Sequence, residues 1–238
     1  VLFCDLFNAF LLQSRIKYHR IKPIAMKLPF YTILPICTFW TFSLFLYFSG
    51  FDSREDIENN KNTVTFRETC IRMIQLNVLH VMSILPMEYG LSLFPLEIEG
   101  VRFSYLIFGI LLLDTIEYFA HYTYHKIPFL YHYVHKTHHA MKTPWSCGAL
   151  YNSFSESILT SGLIAICFLL IFRFTLAEFT YVTTLGIIWT CMDHCDYFDH
   201  LTILGRKEHH RKHHEINIEC NYQQPFFTFW DYALNTKK

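Results

Sequence analysis

Charged residues are scarce in this chain of 238 residues. They make up 17% of the sequence, against about 25% in typical soluble domains, and the 20 basic residues are balanced by 20 acidic ones. Without an excess of positive charge, nothing favours a nucleic-acid partner. Apolar residues reach 52% and the mean hydropathy is +0.21. This composition disfavours both a disordered chain and a soluble globule, and it predicts an integral membrane protein.

Paired cysteine spacings are also missing. The eight cysteines are spread along the chain, several of them inside apolar runs, so buried reduced thiols are favoured over a disulfide scaffold. Cys191 and Cys195 have no second pair nearby, which favours packed thiols over a metal site. The apolar first residues have no basic region before them. We therefore expect the tail of a first membrane helix rather than a signal peptide.

Four apolar windows approach or exceed the length of about 20 residues that a helix needs to cross the ~30 Å core of a bilayer. They are residues 30–51, 71–96, 103–120 and 158–194. The last window has room for two crossings with a hinge at residues 173–178. The sequence therefore predicts an all-α integral membrane bundle of about four transmembrane helices.

Basic residues cluster at 15–27, 126–142 and 206–212. By the positive-inside rule, all three stretches are expected to face the cytoplasm. Three crossings after residue 27 would put the second stretch on the opposite side of the membrane. One of the first three windows is therefore expected to be re-entrant or interfacial.

Histidine is the residue in excess. Of the 14 histidines, 12 follow Gly100, and most fall into the clusters HYTYH, HKTHH and HHRKHH. Side chains at i and i+3 or i+4 share one face of a helix, so each cluster can direct imidazoles at one point. Eight imidazoles exceed the four ligands of a zinc site and predict two metal ions, which could be iron, copper or zinc. The candidate ligands are His121, His125, His135, His138, His139, His210, His213 and His214.

Other polar residues extend this candidate site. His194 and His209 are possible additional ligands. Glu117 lies one helical turn before His121, where its carboxylate is expected to accept a hydrogen bond from that ring. Ionisable residues inside a membrane segment are costly, which favours a functional role for Glu117 and for Asp114. His19 and His80 are expected to be structural or exposed. For His132, an exposed position and a contribution to the second cluster both stay open.

The clusters and their flanks resemble those of the membrane-bound fatty acid hydroxylase superfamily, which includes sterol desaturases and 4-methylsterol oxidases. That family's signature is HxxxH, then HxxHH, then HxxHH near the C-terminus. The similar stretches are DTIEYFAHYTYH at 114–125, LYHYVHKTHH at 130–139 and NYQQPFFTFWDYALNT at 221–236. The resemblance covers roughly residues 67–236. We therefore divide the chain into an N-terminal membrane and linker region, 1–66, and a hydroxylase-like domain, 67–238.

The resemblance implies a dioxygen-dependent di-iron enzyme of the endoplasmic reticulum membrane. Members hold two iron ions with their histidines, in a cytoplasmic cap of short helices, and receive electrons from an NAD(P)H-dependent reductase, usually through cytochrome b5. They oxidise an unactivated C–H bond of a lipid. The basic run at 17–22 resembles 4-methylsterol oxidases and favours a 4-methylsterol monooxygenase of sterol biosynthesis. The alternatives are a fatty-acyl or sphingolipid hydroxylase or desaturase and, in another class, a catalytically silent membrane scaffold that retains the metal site.

Three departures from the family pattern stand out. The chain has Tyr122 after His121, where the family often has arginine. It has Ser153 and Phe154 where members carry His-Pro, in the run ALYNSFSE. The apolar segment 30–51 replaces a short polar connection, and we hypothesise that it does not cross the membrane.

Overall fold

The computed structural model describes residues 28–52, 64–82, 100–195, 207–216, 218–222 and 226–238. All regular structure within these ranges is helical, which confirms the all-α prediction. His19, the basic run at 17–22 and the second half of the window 71–96 lie outside the described residues. The main helices are α1 (Leu28–Phe48), α2 (Phe66–Met82), α3 (Phe103–Lys126), α4 (Phe154–Ala165), α5 (Leu176–Asp193), α6 (Lys207–Glu215) and α7 (Phe229–Ala233).

Three helical segments are long and apolar enough to cross a membrane. They are Tyr31–Phe48, Phe103–Lys126 and Phe154–Ile171, the last being α4 with its π-helical continuation. Large apolar side chains on all three segments stay half exposed or more, among them Phe45, Ile107 and Ile158. Continuous exposed apolar surface of this kind is typical of lipid-facing helices. The chain is therefore a membrane protein, as its composition predicts.

The chain reverses direction between α4 and α5, near the predicted hinge. The π-helical segment ends at Ile171 and α5 begins at Leu176. Thr175 and Glu178 form a capping box at the start of α5, each side chain accepting a hydrogen bond from the other residue's backbone N–H. The Arg102 guanidinium donates to the same carboxylate at 2.8 and 2.6 Å. The start of α3 is thereby tied to the start of α5.

Glycines allow α3 and α5 to approach each other closely. A Cβ at Gly109 would lie 2.7 Å from Val182 Cγ2, and a Cβ at Gly186 would lie 2.7 Å from Leu113 Cδ2. Leu113 and Val182 belong to the same buried core cluster. Small residues at such crossings let helix backbones pack tightly within a membrane.

α1 runs beside α5 from one end of the bundle to the other. Near its start, Tyr31 packs against the core cluster that contains Leu176, the first residue of α5. Near its end, the Ser146 hydroxyl donates to the Ser43 carbonyl, and the Ser146 N–H donates to Asp52, both at 3.1 Å. Ser146 follows the second histidine cluster, so α1 ends beside the histidine-bearing loop.

Candidate metal centre

Short helical pieces gather the three histidine clusters at one end of the bundle. α3 ends in the first cluster, a π-helical turn (Tyr131–His135) and a 3-10 turn (His138–Ala140) carry the second, and α6 carries the third. α5 ends beside them, at His194. Every candidate ligand histidine is at most 9% exposed. These imidazoles therefore lie inside the protein rather than on a solvated basic surface.

The predicted ligands form two groups, and within each group the ligand nitrogens lie within 4.8 Å of one another. His194 extends the smaller group, because its Nε2 lies 3.1 Å from His210 Nε2. The HxxHH element of the second cluster contributes to both groups. The five-histidine group is His121, His125, His135, His139 and His213, and the three-histidine group is His138, His210 and His214.

Backbone carbonyls fix which nitrogen of several rings carries the proton. A carbonyl oxygen can only accept a hydrogen bond, so an Nδ1 atom bonded to one must be the donor, and Nε2 is left with a free lone pair. This arrangement occurs at four rings with Nδ1–O distances of 2.6–2.8 Å: His121 with Tyr222, His194 with Thr190, His213 with Cys220 and His214 with Met141.

The Nε2 lone pairs converge. His214 Nε2 lies 2.9 Å from His138 Nε2, and His138 donates through Nδ1 to the side-chain oxygen of Asn152 at 3.0 Å. His213 Nε2 is buried without a hydrogen-bond partner in the described part of the chain. Buried lone pairs that face each other are unfavourable unless a cation lies between them. The donor set therefore fits metal ions, and imidazole suits iron, copper and zinc.

Burial favours the neutral form of four candidate ligands in the loop and in α6: His138, His139, His210 and His214. It lowers the pKa of His138 to about 4. Burial, with neighbouring imidazoles as the next cause, holds the pKa values of His139, His210 and His214 well below the ordinary histidine range. Neutral imidazole is the form that binds metal, so these rings are ready to bind at pH 7.

Glu156 supplies the carboxylate that orients a candidate ligand. Its Oε1 accepts a hydrogen bond from His135 Nδ1 at 2.8 Å, and both side chains are buried. Such a contact fixes the tautomer of a ligating histidine and makes the ring more basic. The sequence contained a signal for this residue, because Glu156 ends the run ALYNSFSE that resembles a family motif. Asn152, which accepts from His138, lies in the same run.

The two carboxylates that the sequence assigns to the site, Asp114 and Glu117, form no hydrogen bond to the candidate ligands within the described part of the chain. His121 does not bond to Glu117, because its Nδ1 donates to the Tyr222 carbonyl and its Nε2 faces His125 Nε2 at 3.3 Å. Asp114 accepts hydrogen bonds from the backbone N–H groups of residues 226 and 227, at 2.8 and 3.2 Å. Asp114 therefore anchors the C-terminal segment to α3, and Glu117 faces the cavity described below.

His209 lies outside both histidine groups. Its Nε2 is 2.9 Å from Asp231 Oδ2. Asp231 Oδ1 also accepts from the Tyr222 N–H at 3.0 Å and from the Thr236 hydroxyl at 2.6 Å. The pair therefore holds the C-terminal segment, whose Tyr222 carbonyl in turn orients His121, and the prediction of a ligand at His209 gains no support. His132 is exposed, and His80 Nδ1 lies 3.0 Å from its own helix, at the Leu76 carbonyl.

Ser153 does not disrupt the site, although it replaces a family residue. Its hydroxyl accepts from the Glu156 N–H at 3.0 Å and donates to the Val134 carbonyl at 2.6 Å. Serine is a favoured N-cap residue, and this cap starts α4 with Glu156 in its first turn. The hydroxyl also ties α4 to the turn that carries His135. At this departure from the family pattern, Ser153 thus caps α4 and connects it to the second histidine cluster.

A largely apolar cavity of about 380 Å³ leads to the histidines. His121, His135 and His138 form its wall at one end. Its length follows one face of α5 from Leu176 to Thr190, which is about 21 Å at 1.5 Å per residue. The cavity exceeds the ~15 Å that one leaflet contributes to a bilayer core, so its shape suits a long alkyl chain.

The family model for fatty acid hydroxylase matches residues 106–236. That match spans more than half of the chain and includes both histidine groups and the C-terminal segment that supports them. The chain belongs to the fatty acid hydroxylase family. The resemblance predicted from the histidine clusters is therefore confirmed.

Curated relatives of this chain are enzymes of lipid metabolism. Sphinganine C4-monooxygenase 1 of Arabidopsis thaliana is 26% identical over 223 residues, covering 86% of this chain and 85% of the relative. Sphingolipid C4-hydroxylase of Saccharomyces cerevisiae is 33% identical over 54% of this chain and 38% of its own length. Cholesterol 25-hydroxylase of Mus musculus is 30% identical over 56% of this chain and 46% of its own length. The chain thus spans less than half of the latter two, and no solved structure matches it significantly.

Proposed function

We propose that this protein is a metal-dependent oxidoreductase that hydroxylates an unactivated C–H bond of a membrane lipid. One observation carries the proposal: two buried histidine groups, with lone pairs directed inward, stand at the end of an apolar cavity within a membrane bundle. The cavity delivers an alkyl chain and excludes water, and the histidines hold metal beside it. A silent scaffold would not require so many buried, oriented and neutral imidazoles.

Two iron ions are the proposed cofactors. The five-histidine group would hold one ion and the three-histidine group, with His194, the other. Iron bound there supplies oxidation of a C–H bond by dioxygen, with electrons proposed to come from an NAD(P)H-dependent reductase through cytochrome b5. The protein's own part is to orient the rings, six of them through a hydrogen bond donated by Nδ1. We further propose residence in the endoplasmic reticulum membrane with the histidine end facing the cytoplasm.

A long-chain sphingoid base is the favoured substrate. The Arabidopsis sphinganine C4-monooxygenase aligns with 86% of this chain and 85% of its own length. The 4-methylsterol assignment suggested by the sequence finds no support among the reported relatives. Sterols remain the second candidate, because the mouse cholesterol 25-hydroxylase aligns with about half of this chain.

The test is lipid profiling of host cells that lack endogenous sphingoid-base hydroxylation, with and without the full chain. We expect a hydroxylated sphingoid base, found by mass spectrometry, that disappears in the double variant His138→Ala, His213→Ala. His132→Ala is the matched control, because this exposed histidine lies in the same segment but outside both groups. A hydroxylated sterol without a sphingoid product would transfer the proposal to sterols. Metal-free, inactive wild-type protein would favour the scaffold.

A further inference from the structure

Glu117 is an ionisable residue in the wall of the apolar cavity. It lies on α3 within a segment apolar enough to cross a membrane, one turn of about 5.4 Å before His121. It belongs to neither histidine group, and no hydrogen bond or ion pair of Glu117 occurs among the described residues. A carboxylate at such a position is costly and is a functional-site hypothesis by default.

The polar and apolar linings of the cavity are unevenly distributed. Glu117 and Glu156 both stand at the end formed by the histidines. The second oxygen of Glu156, Oε2, is buried and has no hydrogen-bond partner in the described ranges. The opposite end, by the turn between α4 and α5, is lined by apolar side chains that include Leu169 and Leu176, with neutral hydroxyl groups such as that of Thr180. A lipid in this cavity would therefore direct its polar group toward the metal centre and its alkyl tail away from it.

We propose that Glu117 binds the ammonium group of a long-chain amine and thereby sets which carbon faces the histidines. The proposal rests on the proposed function and deepens it by naming the recognised group. Since Glu117 and His121 are one turn apart, the carbon presented to the metals is only a few bonds from the ammonium. A lipid oxidised at the far end of its apolar tail does not match this arrangement.

Charge explains why an amine is preferred to a hydroxyl at this position. A carboxylate in apolar surroundings is poorly solvated, and a cation relieves that cost more completely than a neutral donor does. Charge-assisted hydrogen bonds are also roughly twice as strong as neutral ones. The carboxylate therefore discriminates by charge as well as by position.

The test is a binding measurement that needs no turnover. Purified full-length protein in lipid nanodiscs is titrated with octadecylamine and, separately, with octadecanol, each competing with a fluorescent long-chain probe. Wild-type protein is expected to prefer the amine by roughly tenfold to a hundredfold. Glu117→Gln should abolish that preference while leaving the alcohol affinity and the metal content unchanged. Glu117→Asp, which retains the charge, should keep most of it.

Thr180→Val is the matched control, because Thr180 lines the apolar half of the same cavity and should leave the preference intact. Equal binding of amine and alcohol by wild-type protein would overturn the proposal. An equal loss of amine and alcohol affinity in Glu117→Gln would also overturn it, because that result indicates a packing role. A loss of bound metal in the same variant would overturn it as well, because that result indicates that Glu117 supports the metal ligands. A clear amine preference without any hydroxylated lipid would uphold this recognition and refute the proposed reaction instead.

Discussion

Hydrogen bonds donated by Nδ1 orient most of the candidate ligand rings. At four of the candidate ligands the acceptor is a backbone carbonyl, and at His135 it is the Glu156 carboxylate. A backbone carbonyl is not removed when a side chain is substituted, so no single substitution tests these four hydrogen bonds directly. The Glu156 side chain can be removed, and it therefore offers the direct test of orientation.

Glu156→Ala is expected to lower metal affinity by about 10- to 100-fold, the usual effect of losing an orienting carboxylate. The helices should persist, because Ser153 still caps α4. Competition with a chelator measures the affinity, and circular dichroism measures the helix content. Glu219→Ala is the matched control, since Glu219 forms a half-exposed ion pair with Lys126 and should leave metal binding unchanged. Unaltered affinity in the Glu156 variant would remove that residue from the metal centre.

The sequence was sufficient to predict the histidines that come together, but not the contacts that orient them. Spacing at i, i+3 and i+4 predicts His121, His125 and the HxxHH elements, because neighbouring positions on a helix face are a local property. The partner of His121 is a carbonyl 101 residues away. No periodicity encodes such a contact, so the sequence favours the nearby carboxylate of Glu117 as the acceptor, whereas His121 bonds to the Tyr222 carbonyl.

At the scale of elements, α3 packs closely against α5, and both helices line the cavity. Gly109 faces Val182, Phe174 and Phe168, at 2.7, 3.0 and 3.3 Å from the position of an added Cβ. The other glycine suited to comparison is Gly162 in α4, where an added Cβ meets nothing within 4 Å. The two glycines thus separate a packing role from an effect of helix propensity.

Gly109→Ala is expected to destabilise the bundle by about 1 kcal/mol, because overpacking costs about 1–3 kcal/mol and the gain in helix propensity offsets at most about 1. Gly162→Ala should instead stabilise it slightly, since only the propensity changes. Thermal unfolding in detergent measures both. Equal shifts in the two variants would contradict a close helix crossing at Gly109.

The apolar windows at 30–51, 103–120 and 158–194 correspond to α1, α3 and the pair of α4 and α5. Their ends were less predictable. The apolar pattern of the window stops at residue 120, whereas α3 continues through the buried first histidine cluster to Lys126. The π-helical segments at Tyr131–His135 and Ile166–Ile171 have no sequence signal, since they accommodate neighbouring elements rather than follow a local preference.

At the scale of the whole molecule, α1 is the element that the sequence described least well. The division into 1–66 and 67–238 stays a prediction, yet α1 shares core clusters with elements beyond residue 67. Its residues Pro35, Ile36 and Phe39 also line the cavity. Removal of this helix would open the cavity wall, so α1 belongs to the proposed substrate site rather than to an appended linker.

The position of α1 leads to a topology prediction opposite to the one from sequence. Its 21 residues extend about 31 Å, close to the ~30 Å of a bilayer core. Near its start, Tyr31 packs against the core cluster that contains Leu176 of α5, and its end bonds to the histidine-bearing loop. If the bundle spans the membrane, the two ends of α1 therefore lie on opposite sides.

Glycosylation acceptors placed before residue 28 and within 53–63 test this topology. With the histidine end cytoplasmic, we expect modification of the first acceptor only. An acceptor added after Lys238 controls for orientation, because the C-terminal segment belongs to the histidine end and should stay unmodified. That result would put the basic stretch 15–27 outside the cytoplasm, against the positive-inside rule, so bundle packing would have overridden the charge signal. Both ends of α1 on one side would instead uphold the original hypothesis that this segment does not cross.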